Sequence, residues 1–240
     1  MKSKLLAVLV MALAAFAFTG IAQAQTEMTN DVIFIKAGYV PISNTTFDKG
    51  ATRDGVSQPT IAMGDLEGSG WALQGEYNLN FQSFWVGIGL EYQRIKVDDF
   101  EYTEGTTKAK LTSHTNQFIM PMVSGKFVAG GGLYLGAGLG VKYMTGTQAW
   151  GDTTSSNKYD KWEKKTDLWG HAIVGWFTPV AEGVYLDIEG RFGYNFTKNQ
   201  HESFKDTDPA DSHNWKLTPK SAYDMAIYVG VGFRASASGI

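Results

Sequence analysis

The stretch Gly183 to Phe196, which reads GVYLDIEGRFGYNF, decides the fold. Every second residue in it is apolar or glycine. These residues are Val184, Leu186, Ile188, Gly190, Phe192, Tyr194 and Phe196. The positions between them include the charged residues Asp187, Glu189 and Arg191. A period of two residues indicates a β-strand, and a tilted strand needs roughly 9–11 residues to cross a bilayer. We therefore interpret this stretch as a membrane-spanning strand, with lipid on its apolar side and a polar barrel lumen on the other.

The first 24 residues have the features of a secretory signal peptide. Lys2 and Lys4 precede the apolar segment 5–18, and Ala22-Gln23-Ala24 fits the small-x-small rule for cleavage. We expect a signal peptide over residues 1–24 and one barrel domain over residues 25–240.

Composition excludes several classes of protein. The chain has no cysteine, so a disulfide framework and cysteine metal sites are excluded. Its formal charge is −3, which becomes −5 when the two lysines of the leader are removed, and this argues against a nucleic-acid partner. No run of 18 apolar residues follows the leader, whereas 28 glycines and 13% aromatic residues favour an all-β protein.

The same alternation recurs in other segments. We predict eight strands, at residues 32–40, 70–79, 84–93, 115–126, 133–145, 166–177, 183–196 and 222–234. For 115–126 the facing stays open between Phe118, Met120, Met122 and Ile119, Pro121, Val123, and that of 166–177 is also open. Pro41 is expected to end the first strand.

The predicted connections alternate between long and short. Long loops are expected at 42–67, 97–113, 146–165 and 197–221, and short turns lie between them. This pattern is typical of an eight-stranded antiparallel up-and-down transmembrane barrel, with periplasmic turns and long extracellular loops. The alternative fold is a soluble lipocalin-like barrel, whose apolar faces would surround a ligand.

The strand and loop pattern resembles the small outer-membrane barrels of the OmpA/OmpX type. Residues 35–41, IKAGYVP, also resemble the first strand of the OmpW family. The first resemblance implies a bacterial outer-membrane location. It also implies contact with outer-membrane lipid and lipopolysaccharide, insertion by the barrel assembly machinery, and a monomer whose loops could bind a surface ligand. The second implies passage of small hydrophobic solutes.

We expect a network of polar side chains to fill the lumen, because an eight-stranded barrel is only wide enough for side chains. Its predicted members are Lys36, Glu76, Glu91, Lys142, Asp187, Glu189, Arg191, Asp224 and Arg234. Buried charges need partners, and we expect Asp187 to pair with Arg234. The network is interpreted as a structural plug, with a polar path for ions as the alternative.

Aromatic residues are predicted to form two interfacial belts. Trp71, Tyr92, Tyr143, Tyr194 and Tyr223 would form the outer belt. Phe81, Phe84, Trp176 and Phe233 would form the inner one. The loop residues Trp150, Tyr159, Trp162 and Trp215 either recognise a partner or hold the loops together.

No catalytic, cofactor or metal site is predicted. His114, His201 and His213 are expected to be solvated, and a metal site of His201, Asp211 and His213 is a minor alternative. His201-Glu202-Ser203 contains the residue types of a lipid hydrolase but not its motif. The leading function is a non-enzymatic structural or surface-interaction barrel, and the alternative is OmpW-like passage of hydrophobic solutes.

Overall fold

The computed structural model describes residues 31–81, 83–104, 106–148, 150–151, 158–206 and 214–235. The predicted signal peptide, Asp211 and His213 lie outside these ranges. Eight long strands form the wall of the molecule. They are β1 (Val32–Arg53), β2 (Leu66–Phe81), β3 (Phe84–Val97), β4 (His114–Val128), β5 (Leu133–Thr147), β6 (Thr166–Ala181), β7 (Val184–Asn195) and β8 (Asn214–Arg234).

Each strand pairs antiparallel with the next, and β8 returns to β1. Val32 of β1 lies opposite Asn78 of β2 on one side and Arg234 of β8 on the other, so the sheet is closed. Among the described residues, no helix is long and apolar enough to cross a membrane. The predicted eight-stranded up-and-down barrel is confirmed.

The connections differ between the two ends of the barrel. At the end called here the short-turn end, the strands are joined by residues 82–83, 129–132 and 182–183. At the opposite end, called the loop end, the connections are residues 54–65, 98–113, 148–165 and 196–213. The predicted alternation of short and long connections is present, although the loops are shorter than the sequence indicated.

The prediction that Pro41 ends the first strand is wrong. The ladder between β1 and β8 shifts register between Tyr39 and Ile42, and β1 then continues to Arg53. A β-bulge accommodates a residue without a backbone N–H, so the strand resumes beyond it. Pro219 likewise lies inside β8, opposite Phe47.

Short strands occupy much of the loops. Phe100–Glu104 and Thr107–Leu111 form a hairpin, and Ile61–Met63 pairs with its first strand to complete a small second sheet. Val56–Gln58 folds back on β1, and Ser203–Asp206 pairs with both Lys158–Trp162 and β8. The described parts of the loops therefore continue the barrel wall as strands.

The predicted orientation of the strands is confirmed. Exterior side chains such as Ile35 and Ile88 are 63% and 56% exposed, whereas Lys36 and Glu91 face inward and are at most 1% exposed. The lipocalin-like alternative is wrong, because the exposed wall is apolar and the buried interior holds the ions. In β4 the inward set is Phe118, Met120 and Met122.

Most of the predicted belt aromatics lie on the outer wall. Exposed members are Trp71, Tyr143 and Tyr194 towards the loop end, and Phe81, Phe84, Trp176 and Phe233 towards the short-turn end. Tyr92 is half-buried because its ring packs against Trp71, with the ring centroids 5.4 Å apart. These rings mark the two boundaries of an apolar band.

Candidate functional site: the lumen

Side chains fill the lumen in three layers. The first, at the short-turn end, is an apolar floor in which the ring of Trp85 stacks on Phe177 at 4.9 Å. Its buried members are Val32, Phe34, Trp85, Tyr134, Ile173, Phe177 and Tyr185. Most of them lie near the strand ends on this side of the barrel, and Ile173 lies in the middle of β6. This end of the lumen is therefore blocked by aromatic and aliphatic side chains.

The second layer is an ionic cluster centred on Glu189. Its carboxylate accepts from the ammonium groups of Lys36 at 2.5 Å and Lys126 at 3.3 Å, and from the guanidinium of Arg191 at 2.7 Å. The hydroxyl of Tyr134 also donates to it, at 3.0 Å. Strands β1, β4, β5 and β7 thus converge on one carboxylate, although they are spread around the barrel.

Three other carboxylates complete the ionic cluster. Lys36 lies 3.3 Å from Glu76 and 2.9 Å from Asp187. Arg191 pairs with Glu91, which also accepts from the hydroxyl of Tyr228 at 2.8 Å. The cluster holds three cations (Lys36, Lys126 and Arg191) against four carboxylates (Glu76, Glu91, Asp187 and Glu189). Such charges remain ionised in an enclosed space only when their partners are close.

Glycines make room for these long side chains. A Cβ on Gly230 would lie 2.6 Å from Cγ of Lys36, and one on Gly136 would lie 2.9 Å from Cγ of Lys126. Both distances are shorter than real Cβ contacts, so any larger residue would displace a lysine of the ionic cluster.

A smaller ion pair lies between the ionic cluster and the loop end. Lys142 is 2.9 Å from Asp224, and its ammonium lies 4.1 Å from the ring centroid of Trp169. His171 is also buried here, and neither of its ring nitrogens has a hydrogen-bond partner among the described residues.

The third layer closes the loop end and is mostly apolar. Strand extensions and loops bring together 18 buried residues, which include Val40, Ile95, Phe118, Met144, Trp162, Phe204, Trp215 and Leu217. Trp162 and Trp215 are among them, so they hold loops against the barrel. The side chains of Trp150 and Tyr159 lie outside the described set.

The prediction that His114 and His201 are solvated is wrong. They are 2% and 8% exposed, because the loops fold over the mouth and cover them. Trp162 Nε1 donates to His114 Nε2 at 2.9 Å, and its ring meets His201 edge-on at 5.1 Å. Burial lowers the pKa of His201, which is in a loop, to about 3, and the nearby charges of His114 and Lys142 act in the same direction.

Asp167 fixes the loop that carries His201. Its carboxylate accepts from Asn195 Nδ2 and Thr197 Oγ1 at 2.6 and 2.7 Å. It also accepts from the backbone N–H groups of Asn199 and Gln200, at 2.6 and 2.9 Å. One buried residue therefore anchors the whole segment 195–200 to the rim of the barrel.

The structure brings eight of the nine predicted lumen residues into the interior. The exception is Arg234, which is exposed at the short-turn end. The expected Asp187–Arg234 pair is wrong: Asp187 lies opposite Gly230, four residues from Arg234, and pairs with Lys36 instead.

Two members of the ionic cluster were missed from the sequence. Lys126 is absent from the predicted set because the facing of its strand was open, and Tyr134 is absent because that set lists charged residues only. The presence of Lys126 within the membrane-spanning length was the available signal, since a lysine there is costly on the lipid side.

The residues of the hydrolase-like tripeptide turn to different partners. Ser203 Oγ donates to Glu163 at 2.8 Å, Glu202 pairs with Lys165 at 2.7 Å, and His201 Nε2 faces Asn116 at 3.1 Å. No group of three or more His, Cys, Asp or Glu that could hold a metal occurs among the described residues.

No protein-family model and no curated protein sequence matches the chain. Among solved structures, the outer membrane protein OprG from Pseudomonas aeruginosa is 15% identical, with a TM-score of 0.58, and the match covers 89% of this chain and 100% of OprG. Neisserial surface protein A (NspA) matches at 14% identity over 85% of this chain and 97% of its own, with a TM-score of 0.41. Ail of Yersinia pestis matches at 10% identity over 86% and 100%, also with a TM-score of 0.41. The last two scores are too low to support a closer relationship. The likeness to OprG shows the fold: this chain is an eight-stranded β-barrel of the bacterial outer-membrane type.

Proposed function

We propose that the protein is a non-enzymatic barrel of the bacterial outer membrane, with a closed lumen and a structural or surface-interaction role. The observation that carries the proposal is the filling of the lumen by an apolar floor, an ionic cluster and an apolar mouth. The exposed wall is apolar between two aromatic boundaries, as a lipid-facing surface requires.

The loop end supports the surface-interaction part of this proposal. Its loops contain strands of their own, and Trp162, Trp215 and the Asp167 hydrogen bonds hold them in place. A pre-ordered loop surface loses less conformational entropy on binding a partner than a flexible one. The hairpin of Phe100–Glu104 and Thr107–Leu111 would present such a surface through its exposed residues Glu101, Lys108 and Lys110.

Single-channel recording of the full barrel in planar bilayers tests the closed lumen. The wild-type protein is expected to give no ionic current above that of the protein-free bilayer. The double variant Lys36→Ala, Glu189→Ala shortens two side chains at the centre of the ionic cluster, and it is expected to give discrete openings. A stable conductance in the wild-type protein would contradict the plug, whatever the variant does.

A second function is favoured by one feature of the wall. In the ladder between β4 and β5, Ile119 pairs with Tyr143 and Met122 with Gly140, but Met120 and Pro121 have no partner in it. Pro121 faces outward and lacks a backbone N–H, so pairing is interrupted beside the buried Met120 and Met122. An interrupted ladder next to apolar lumen residues would suit OmpW-like lateral passage of hydrophobic solutes.

Uptake measurements separate the two functions. Cells that carry the wild-type barrel would accumulate a small hydrophobic solute faster than cells without it, and Pro121→Val would reduce the difference by restoring an N–H at this position. The matched control is Pro179→Val, which changes an exposed proline at the short-turn end of β6. Equal uptake with and without the barrel would reject the transport function and leave the structural function as the only one of the two.

A further inference from the structure

Two cations project from the outer wall at the boundary of the apolar band. β3 continues past Gln93 to Val97, and its alternation directs Gln93 and Ile95 into the lumen, where they are 3% and 2% exposed. Arg94 and Lys96 therefore face outward, and both are exposed. They follow Tyr92, a residue of the outer aromatic belt, on the same face of the strand.

Polar and aromatic residues of the neighbouring strands surround these cations. Arg94 lies opposite Trp71 on β2 and Gln117 on β4. Lys96 lies opposite Ser69 and Thr115 on the same two strands. Cross-strand neighbours on one face are about 4.5–5.5 Å apart at their Cβ atoms. Arg94 thus lies beside Trp71 and one row above Tyr92, which together are called the aromatic shelf, and hydroxyl and amide groups flank the two cations on the neighbouring strands.

Neither cation has an ion pair within the described residues. Asp99, the nearby loop carboxylate, forms its contacts with Lys110 at 3.1 Å and with the backbone N–H of Ser113 at 2.7 Å, and Lys96 acts on it only as a more distant charge that also lowers its pKa. Glu67 lies on the same outer face beyond Ser69, and no ion pair joins it to Lys96 in the part of the chain described. A positive charge at this boundary is available to a group outside the protein.

We propose that Arg94 and Lys96 bind a phosphate group on the sugar headgroup of an outer-leaflet glycolipid of the lipid A type. The charge is complementary, and two cations two residues apart, about 6.6 Å along the strand, can contact one phosphate together. Trp71 and Tyr92 would lie beneath the sugar ring, and the acyl chains would cover the apolar wall below. The proposal rests on the outer-membrane location proposed above.

Depth in the membrane favours a lipid over a soluble anion. The apolar exterior residues Leu73 and Ile119 flank Tyr92 on the neighbouring strands, and Leu90 lies one row further from the loop end, so a ligand bound to the cations meets acyl chains on its other side. The phosphates of the outer leaflet lie at this boundary, where aromatic residues also accumulate. A free phosphate would gain nothing from the shelf or the wall.

The test uses the full barrel in detergent micelles, with bis-phosphorylated lipid A as the probe and its dephosphorylated form as the comparison. Arg94→Gln, Lys96→Gln is expected to weaken the apparent Kd for lipid A at least about tenfold, which is about 1.4 kcal/mol, because it removes two charge-assisted contacts to the phosphate. Lys49→Gln, Lys164→Gln removes two exposed cations, one on the loop-end part of β1 and one in a loop, and is the matched control, expected to bind as the wild type does. Arg94→Lys is expected to retain most of the affinity.

Three results would overturn the site: equal binding by the double variant and the control, equal binding of the dephosphorylated lipid, or displacement of lipid A by inorganic phosphate at the same concentration. Heat-modifiable gel mobility shows that each variant is folded. Insertion of the wild-type chain into phosphatidylcholine vesicles is measured separately. Its failure would reject the membrane location itself, whereas normal insertion with unchanged lipid A binding would reject only the site.

Discussion

Removing the charge of Lys36 should be among the most destabilising single changes in the barrel. Its ammonium contacts Glu76 at 3.3 Å, Asp187 at 2.9 Å and Glu189 at 2.5 Å, and all four side chains are at most 1% exposed. Lys36→Met changes the ionic cluster from three cations and four carboxylates to two and four, while it conserves most of the side-chain volume. Breaking a buried ion pair by removal of one partner costs about 3–5 kcal/mol, and we expect a loss in this range.

A second substitution tests whether the loss comes from charge. Asp187→Asn in the Lys36→Met background leaves two cations and three carboxylates, which restores the excess of one negative charge found in the wild type. The double variant should recover about 1–3 kcal/mol relative to the sum of the single changes, as expected for residues in one network. Lys220→Met, at an exposed position on β8, is the control and should stay within about 0.5 kcal/mol of wild type.

Urea unfolding in lipid vesicles, followed by the loss of the fast-migrating folded form on a gel, measures these free energies. The midpoint should fall while the slope with urea is unchanged, because the same surface is exposed on unfolding. The reasoning is refuted if Lys36→Met costs no more than Lys220→Met. It is also refuted if Asp187→Asn adds its full cost to that of Lys36→Met, since the two residues would then be energetically independent.

Three further changes test other parts of the structure. Asp167→Ala should cost about 1–3 kcal/mol and expose segment 195–200 to protease, because it leaves buried donors unpaired. Unchanged proteolysis would contradict the anchoring role. The pKa of His201 is lowered from 6.5 to about 3, so the unfolded loop binds a proton that the folded loop excludes. The stability of the closed loop should fall as pH falls from about 6.5 to about 3, and His201→Gln should remove this part of the pH dependence of proteolysis. Gly175→Ala should displace the ring of Tyr134, which lies against Gly175, and cost about 1–3 kcal/mol in the urea assay, whereas equal stability would show that the ring can move freely.

The sequence predicted the wall better than the interior. In β7 the alternation is complete. Ile188 and Phe192 face outward and must be apolar, whereas Glu189 and Arg191 face the ionic cluster and must be charged. In β4 the inward Met120 and Met122 are as apolar as the outward Ile119. Alternation disappears wherever the lumen itself is apolar, and the facing of such a strand depends on contacts with distant strands.

The loop end was hard to predict for another reason. Pro41 and Pro219 are ordinary signals for the end of a strand, but bulges allow β1 and β8 to continue past them. The extended strands then support loops that bury His114 and His201. Their burial follows from tertiary packing of segments far apart in sequence, which local composition does not reveal.

The ionic cluster has a role that the apolar wall cannot fulfil. A slip of one strand by two residues keeps every apolar side chain facing lipid and every polar one facing the lumen, so the wall hardly distinguishes such registers. In β7, however, a two-residue slip would move Glu189 away from Lys36 and Lys126, which lie on other strands, and would place Asp187 or Arg191 at the centre. A second cation there would repel the two lysines. The register of β7 is thus specified from the inside, by a carboxylate that pairs with lysines of two other strands.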